Sequence, residues 1–327
     1  MNRRDFLKYS GLLSFAAWVP NSWASNVSPA FDLTFLVGAD THFDEPPETD
    51  QYRQVQAMNK VPQLKWPAQI DGIKTNFASA GQFIEGIRGL VLAGDLVDRA
   101  HPAALNLFKQ RYEQGPGDRH IHFPTYVGLG NHDVNPEVEA GLLAQRRQMM
   151  WDYVDARHKG AAAPVPVTNY DALSRNYSWD WEHVHLVHGQ LYPGDTAFGQ
   201  TSSLDWLADD LARHAAHGKP VVIFQHYGYD EWAIKWFDAA QLKKYRKVIA
   251  PYNVVGIFAG HTHEAINMKW QGYDVFEVNN AWCQPNEDGD GSFAIVRITD
   301  RFLHMMTCKW MANGEISLSG PFLNKTF

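Results

Sequence analysis

Five apolar runs in this chain end in residues able to hold a metal ion. Residues 90–93 run into Gly94-Asp95, with Asp98 three positions on. Residues 31–39 lead to Asp40-Thr41-His42, and 123–129 to Gly130-Asn131-His132-Asp133. Residues 220–224 lead to Gln225-His226, and 254–259 to Gly260-His261-Thr262-His263. Short, partly β-branched apolar runs read as strands buried on both faces of a sheet. In open α/β sheets ligands gather at the carboxyl ends of such strands. One Gly-Asp after an apolar run is usually a turn, but five endings of this kind are hard to assign to chance. A carboxylate at Asp95 has two oxygens and could bind two cations at once. Oxygen donors mixed with imidazoles suit Zn, Mn or Fe, and the lack of thiolates argues against Fe–S or copper electron transfer.

The elements that must position these endings follow from periodicity. Helical spacing is expected over 76–88, 102–114, 136–157, 201–217 and 239–249. Residues 177–181 and 183–187 alternate like an antiparallel hairpin turning near Glu182. Beyond 263 only strands are expected, at 267–271, 273–278, 292–298 and 302–310. Residues 43–76 carry four prolines and several acids and read as irregular. They start next to His42, so they are expected as a rim over the site. Strand–helix alternation followed by hairpins predicts an α/β fold of two packed mixed β-sheets flanked by helices, a four-layer α-β-β-α sandwich.

In order, these motifs are Asp-x-His, Gly-Asp-x-x-Asp, Gly-Asn-His-Asp, an isolated His and Gly-His-x-His. The set resembles that of the calcineurin-like metallophosphoesterase superfamily, which includes purple acid phosphatases and serine/threonine phosphatases. The resemblance covers about residues 33–280. It implies two divalent or trivalent transition metal ions (Fe, Mn or Zn). One would be held by Asp40, His42, Asp95 and His263, the other by Asp95, Asn131, His226 and His261. It further implies hydrolysis of a phosphate ester by a metal-bridging hydroxide, with His132 assisting the leaving group. Asp133 would orient His132, and Asp98 would support the ligands from behind. Tyr227 and Asp230 follow His226 and are candidates for the substrate pocket. His183, His185 and His188 mimic a metal motif, but 188 falls on the opposite strand face from the other two. They are expected to be ordinary strand histidines.

The chain has 327 residues, enough for a large single domain. Its N-terminus joins Arg3-Arg4-Asp5-Phe6-Leu7-Lys8 to an apolar run broken by Pro20, with Ser22-Trp23-Ala24 behind. The run is too short to span a bilayer, so residues 1–24 read as a signal peptide of the twin-arginine type. Residues 25–327 would be one domain, and the mature protein would be periplasmic or secreted, without a stable membrane anchor. Its expected partners are the twin-arginine export machinery and a small phosphorylated substrate. The net charge of −7 becomes −9 without that segment, which disfavours nucleic acid. Cys283 and Cys308 could pair in an oxidising compartment. Three other readings remain: a phosphodiesterase with the same site, an amidohydrolase-type zinc enzyme, and a catalytically silent metal-binding protein of the same fold. Asp at position 40 speaks against the second. The intact ligand set speaks against the third.

Overall fold

The computed structural model describes residues 30–44, 52–278, 291–311 and 314–327. The chain begins with β1 (Asp32–Gly38), α1 (Tyr52–Lys60) and the short hairpin of β2 (Gln69–Ile70) and β3 (Ile73–Lys74). Next come β4 (Ile87–Leu92), α2 (Pro102–Tyr112), β5 (Thr125–Val127), the one-turn α3 (Asn131–Val134) and α4 (Ala140–His158). The second half holds β6 (Asn169–Tyr170), β7 (Tyr177–Trp181), β8 (Val184–His188), α5 (Leu204–His214), β9 (Pro220–Phe224), α6 (Ala239–Ile249) and β10 (Asn253–Ala259). It finishes with β11 (Ile266–Trp270), β12 (Tyr273–Glu277), β13 (Gly291–Thr299), β14 (Phe302–Trp310) and β15 (Ile316–Thr326).

Two large sheets result. One has the order β15-β14-β13-β1-β4-β5, the other β11-β12-β10-β9-β8-β7-β6. Pairing is parallel within β1-β4-β5 and within β8-β9-β10-β12, and antiparallel elsewhere. The sheets face each other across an aromatic-rich core. Leu33, Phe35 and Val37 alternate along β1 and meet Phe224 and Phe258 from the opposite sheet. Helices cover the outer faces, so Leu36, Leu90 and Leu92 of the first sheet and Val187, Val221 and Ile223 of the second share one hydrophobic cluster with the helical residues Phe108, Leu207 and Leu211. This is the mixed α/β sandwich expected from the sequence. No helix among the described residues is long and apolar enough to cross a membrane.

Three expectations are corrected. The helix expected at 76–88 is absent: Gly81 and Gly86 take positive φ and break it into turns before β4. Phe77 and Ile84 are buried one at a time, Phe77 stacked 4.6 Å from the ring of His304 on β14. The 43–76 stretch is not irregular throughout, because 52–60 is helical and buries Val55, Ala57 and Met58. Its described part packs against α2, β14 and β15, with Asp71 accepting from the Gly320 amide. Finally, β15 extends the first sheet past β14 and has no counterpart in the sequence reading. The expected N-terminal signal segment and Cys283 lie outside the described residues, while Cys308 is buried on β14.

Candidate metal centre

The ligand-bearing strands are parallel neighbours, β1-β4-β5 in one sheet and β9-β10 in the other, so their carboxyl ends lie along one edge of the sandwich. Backbone bonds continue the pairing into the loops. The Asp40 amide donates to the Gly94 carbonyl (2.9 Å), the His42 amide to Asp95 (3.1 Å) and the Gly260 amide to His226 (2.9 Å). Asp40, His42, Asp95, His261 and His263 all adopt φ between 41° and 79°. Such left-handed backbone is uncommon outside glycine and is typical of strained functional sites. The glycines before the ligands have a steric reason. A Cβ on Gly130 would lie 2.1 Å from Asp95 Oδ1, and one on Gly94 (φ 97°) would lie 2.7 Å from His226 Nδ1.

The side chains form two donor clusters around Asp95. In the first, His42 Nε2 lies 3.1 Å from His263 Nε2, and both stand 3.7–3.8 Å from Asp40 Oδ1. In the second, His226 Nε2 lies 3.0 Å from Asn131 Oδ1 and 3.2 Å from Asp95 Oδ2, with His261 alongside. The same Asp95 oxygen is 3.6 Å from His42 Nε2. Metal–ligand bonds of about 2.0–2.2 Å leave donors on one ion roughly 3–3.5 Å apart, so the spacing fits. The chemistry fits too. His226 Nδ1 faces the Ala93 carbonyl at 2.9 Å, which fixes the hydrogen there and turns the Nε2 lone pair toward two further oxygen acceptors. His261 Nε2 is buried with no hydrogen-bond partner among the described residues. Burial, reinforced by the positive charge on His226, pulls that imidazole down to about 4, so its lone pair is available.

Electrostatics agree. Burial alone would lower the pKa of His42, but Asp40, Asp98 and Asp95 outweigh it and raise the ring to about 10. Asp95 likewise lifts His226 to about 9 against burial. Metal-free, the protein must hold protons where the carboxylates demand positive charge.

His132 sits at the rim of this centre. Its ring packs edge-on to His42 at 4.6 Å, and its backbone amide donates to Asp95 Oδ1 at 2.9 Å. The sequence reading paired it with Asp133, and this is corrected. The Asp133 carboxylate is wholly buried and accepts from the backbone amides of Gly130, Leu96 and Val97 at 2.8–3.1 Å. It welds α3 to the loop after β4. Asp98 is the acid at His132, with Oδ1 2.8 Å from Nδ1, and it also reaches His42 Nδ1 at 3.4 Å. Hydrogen bonds from His132 and His42 hold the Asp98 carboxyl well below the usual carboxylate range. Burial opposes a charge on His132, yet Asp98 and Asp95 raise its pKa overall.

Tyr227 is buried, its ring 5.1 Å from that of His261. The half-buried Asp230 carboxylate caps the next turn by accepting from the Trp232 and Ala233 amides. Among the decoys, His185 is buried between Asp180 and Asp210 at 2.8 Å each, and His188 lies 3.0 Å from the Leu92 carbonyl beneath the site. Sequence reasoning missed Glu277 at the end of β12. Its Oε1 accepts from the Tyr229 and Asp230 amides (2.8 and 3.2 Å), and Oε2 from the Thr262 hydroxyl (2.9 Å). The available signal was the one used elsewhere, an acid closing an apolar strand.

No curated protein matches the chain by sequence. Solved structures share its fold, two of them as follows. One is a dimetal phosphatase from Danio rerio, with TM-score 0.56 and 12% identity over 90% of this chain and 98% of that one. The other is GAP50, the anchor in the inner membrane complex of Plasmodium, with TM-score 0.53 and 12% identity over 90% and 88%. At such identity the likeness is one of fold. The sequence profile of the calcineurin-like phosphoesterases, however, matches residues 33–265, most of the chain and every motif around Asp95, so the protein belongs to the calcineurin-like phosphoesterase family.

Proposed function

We propose that this chain is an exported, metal-dependent phosphoesterase that favours small phosphate monoesters. One ion would be held by Asp40, His42, Asp95 and His263, and a second by Asp95, Asn131, His226 and His261. The observation that carries this reading is Asp95 Oδ2, placed 3.6 Å from His42 Nε2 and 3.2 Å from His226 Nε2 as the member common to both clusters. Two transition metal ions held there would polarise phosphoryl oxygens and supply a water-derived nucleophile at neutral pH. The chain's own residues do the rest. Asp98 fixes the His132 ring through Nδ1, which leaves Nε2 to donate a proton to the departing ester oxygen as its bond to phosphorus breaks. Asp133 keeps α3 and the loop after β4 in register, so that His132 and Asp95 stay together.

A phosphodiesterase could use the same residues, and a relative named as an anchor shows that the fold also serves other roles. The complete donor set favours an enzyme here. The test is metal analysis followed by rates on 4-nitrophenyl phosphate, bis(4-nitrophenyl) phosphate and an alkyl phosphate. We expect about two ions per chain and faster monoester than diester turnover. His132→Ala should lose about 10²–10⁴-fold on the alkyl ester and much less on the nitrophenyl ester. Metal-loaded protein that hydrolyses none of the three would overturn the reading. Equal losses on both leaving groups would remove the acid role of His132.

A further inference from the structure

The segment 227–237 holds five aromatic residues, and packing accounts for only three. Tyr227, Tyr229 and Phe237 are buried among one another, Tyr192 and Trp270. Trp232 and Trp236 are 59% and 41% exposed. Large aromatic side chains gain most of their stabilisation from burial, so an open indole is informative where it borders a site. Trp236 does so. Its ring stands edge-on to that of His261 at 5.2 Å and rests 5.7 Å from Tyr227.

The wall is held by its own hydrogen bonds. Glu277 grips the Tyr229 and Asp230 amides, Asp230 caps Trp232 and Ala233, and the turn Ala233–Trp236 sets the second indole against His261. A surface preorganised in this way loses little entropy on binding. Its charge is also informative. The Lys235 ammonium lies 5.1 Å from the Trp232 ring, which interrupts the apolar patch. An acyl chain would need an unbroken apolar trough, whereas a flat ring needs only one indole face beside the site.

We propose that Trp236, backed by Tyr227, is the stacking surface for an aromatic ring in the organic part of the substrate. This rests on the phosphoesterase reading of the Asp95 centre and makes the preferred substrates aromatic phosphate esters. The ring could be carried close to phosphorus, as in a benzylic ester, or farther away, as in a nucleoside 5′-phosphate.

The test compares benzyl phosphate with cyclohexylmethyl phosphate, two esters of similar size and leaving-group basicity, alongside adenosine 5′-phosphate. Metal-loaded wild type should prefer the benzyl ester in kcat/KM by about 2- to 13-fold, the aromatic increment over equal apolar burial. Trp236→Ala should erase that preference, and Trp236→Phe should keep most of it. Binding of benzylphosphonate, which is not hydrolysed, should quench tryptophan fluorescence in wild type and lose affinity in Trp236→Ala. If the nucleotide rather than the benzyl ester shows the Trp236 dependence, the ring lies farther from phosphorus. Hydrolysis of all three esters with ratios and phosphonate affinity unchanged in Trp236→Ala overturns this inference alone. No hydrolysis of any ester overturns the phosphoesterase reading, and this one with it.

Discussion

Glu277 offers a quantitative check on how the two ligand loops of the second sheet are held. Its carboxylate joins the loop after His226 to the loop carrying His261 and His263, through the Tyr229 and Asp230 amides and the Thr262 hydroxyl. Glu277→Ala leaves two backbone donors unpaired, at about 1–3 kcal/mol each. A loss of about 2–6 kcal/mol is a large share of a typical total of about 5–15. Glu277→Gln keeps an oxygen for the amides and turns its NH₂ toward the Thr262 oxygen, so it should lose far less. The same pair reports on charge. Burial, and then the nearby Asp230, push Glu277 from 4.5 up to about 7. The folded state therefore holds this proton more tightly than the unfolded one, and stability falls as pH rises from about 4.5 to 7. The whole shift is on the order of 3 kcal/mol. Urea denaturation of metal-free protein at several pH values should show wild type losing stability relative to Glu277→Gln across that window, and running parallel above it. Metal titration should show Glu277→Ala weakened chiefly at the His226–His261 cluster. Parallel curves for wild type and Gln from pH 4 to 8 would refute the charge argument. An alanine variant as stable and metal-avid as glutamine would refute the clasp.

Two further outcomes are expected. Gly130→Ala would put a methyl group 2.1 Å from Asp95 Oδ1, so the carboxylate must move. Metal content should drop below one ion per chain while circular dichroism still reports a folded protein; retention of both ions would count against the assigned cradle. Replacing Arg3 and Arg4 with lysine should leave the protein in the cytoplasm with residues 1–24 uncleaved, as fractionation and N-terminal sequencing would reveal. Normal export of that variant would rule out the twin-arginine route.

Most of the donor set was legible in the sequence because ligand chemistry belongs to residue type and strand ends are local. An apolar run followed by Gly-Asp or Gly-His needs no distant information to be noticed, and strand–helix alternation followed by hairpins was enough to anticipate two packed sheets. The helix expected at 76–88 failed for the opposite reason. Its spacing was right, but Gly81, Gly86 and the stacking of Phe77 on His304, 227 positions away, decided the outcome. Likewise Asp98 and Asp133 are both acids close to His132 in the fold, and nothing local distinguishes them. Only the packed loops show one carboxylate spent on three buried amides and the other facing the imidazole. Trp236 carries no motif, and Glu277 only the weak one of an acid closing an apolar strand. Their positions depend on how the 226–237 segment packs against the end of β12 and the loop carrying His261, contacts between stretches far apart in the chain. What residue type and local order determined was the chemistry available. Which groups face each other, and across which gap, was decided by tertiary packing, because hydrogen-bond satisfaction and burial are properties of the assembled interior.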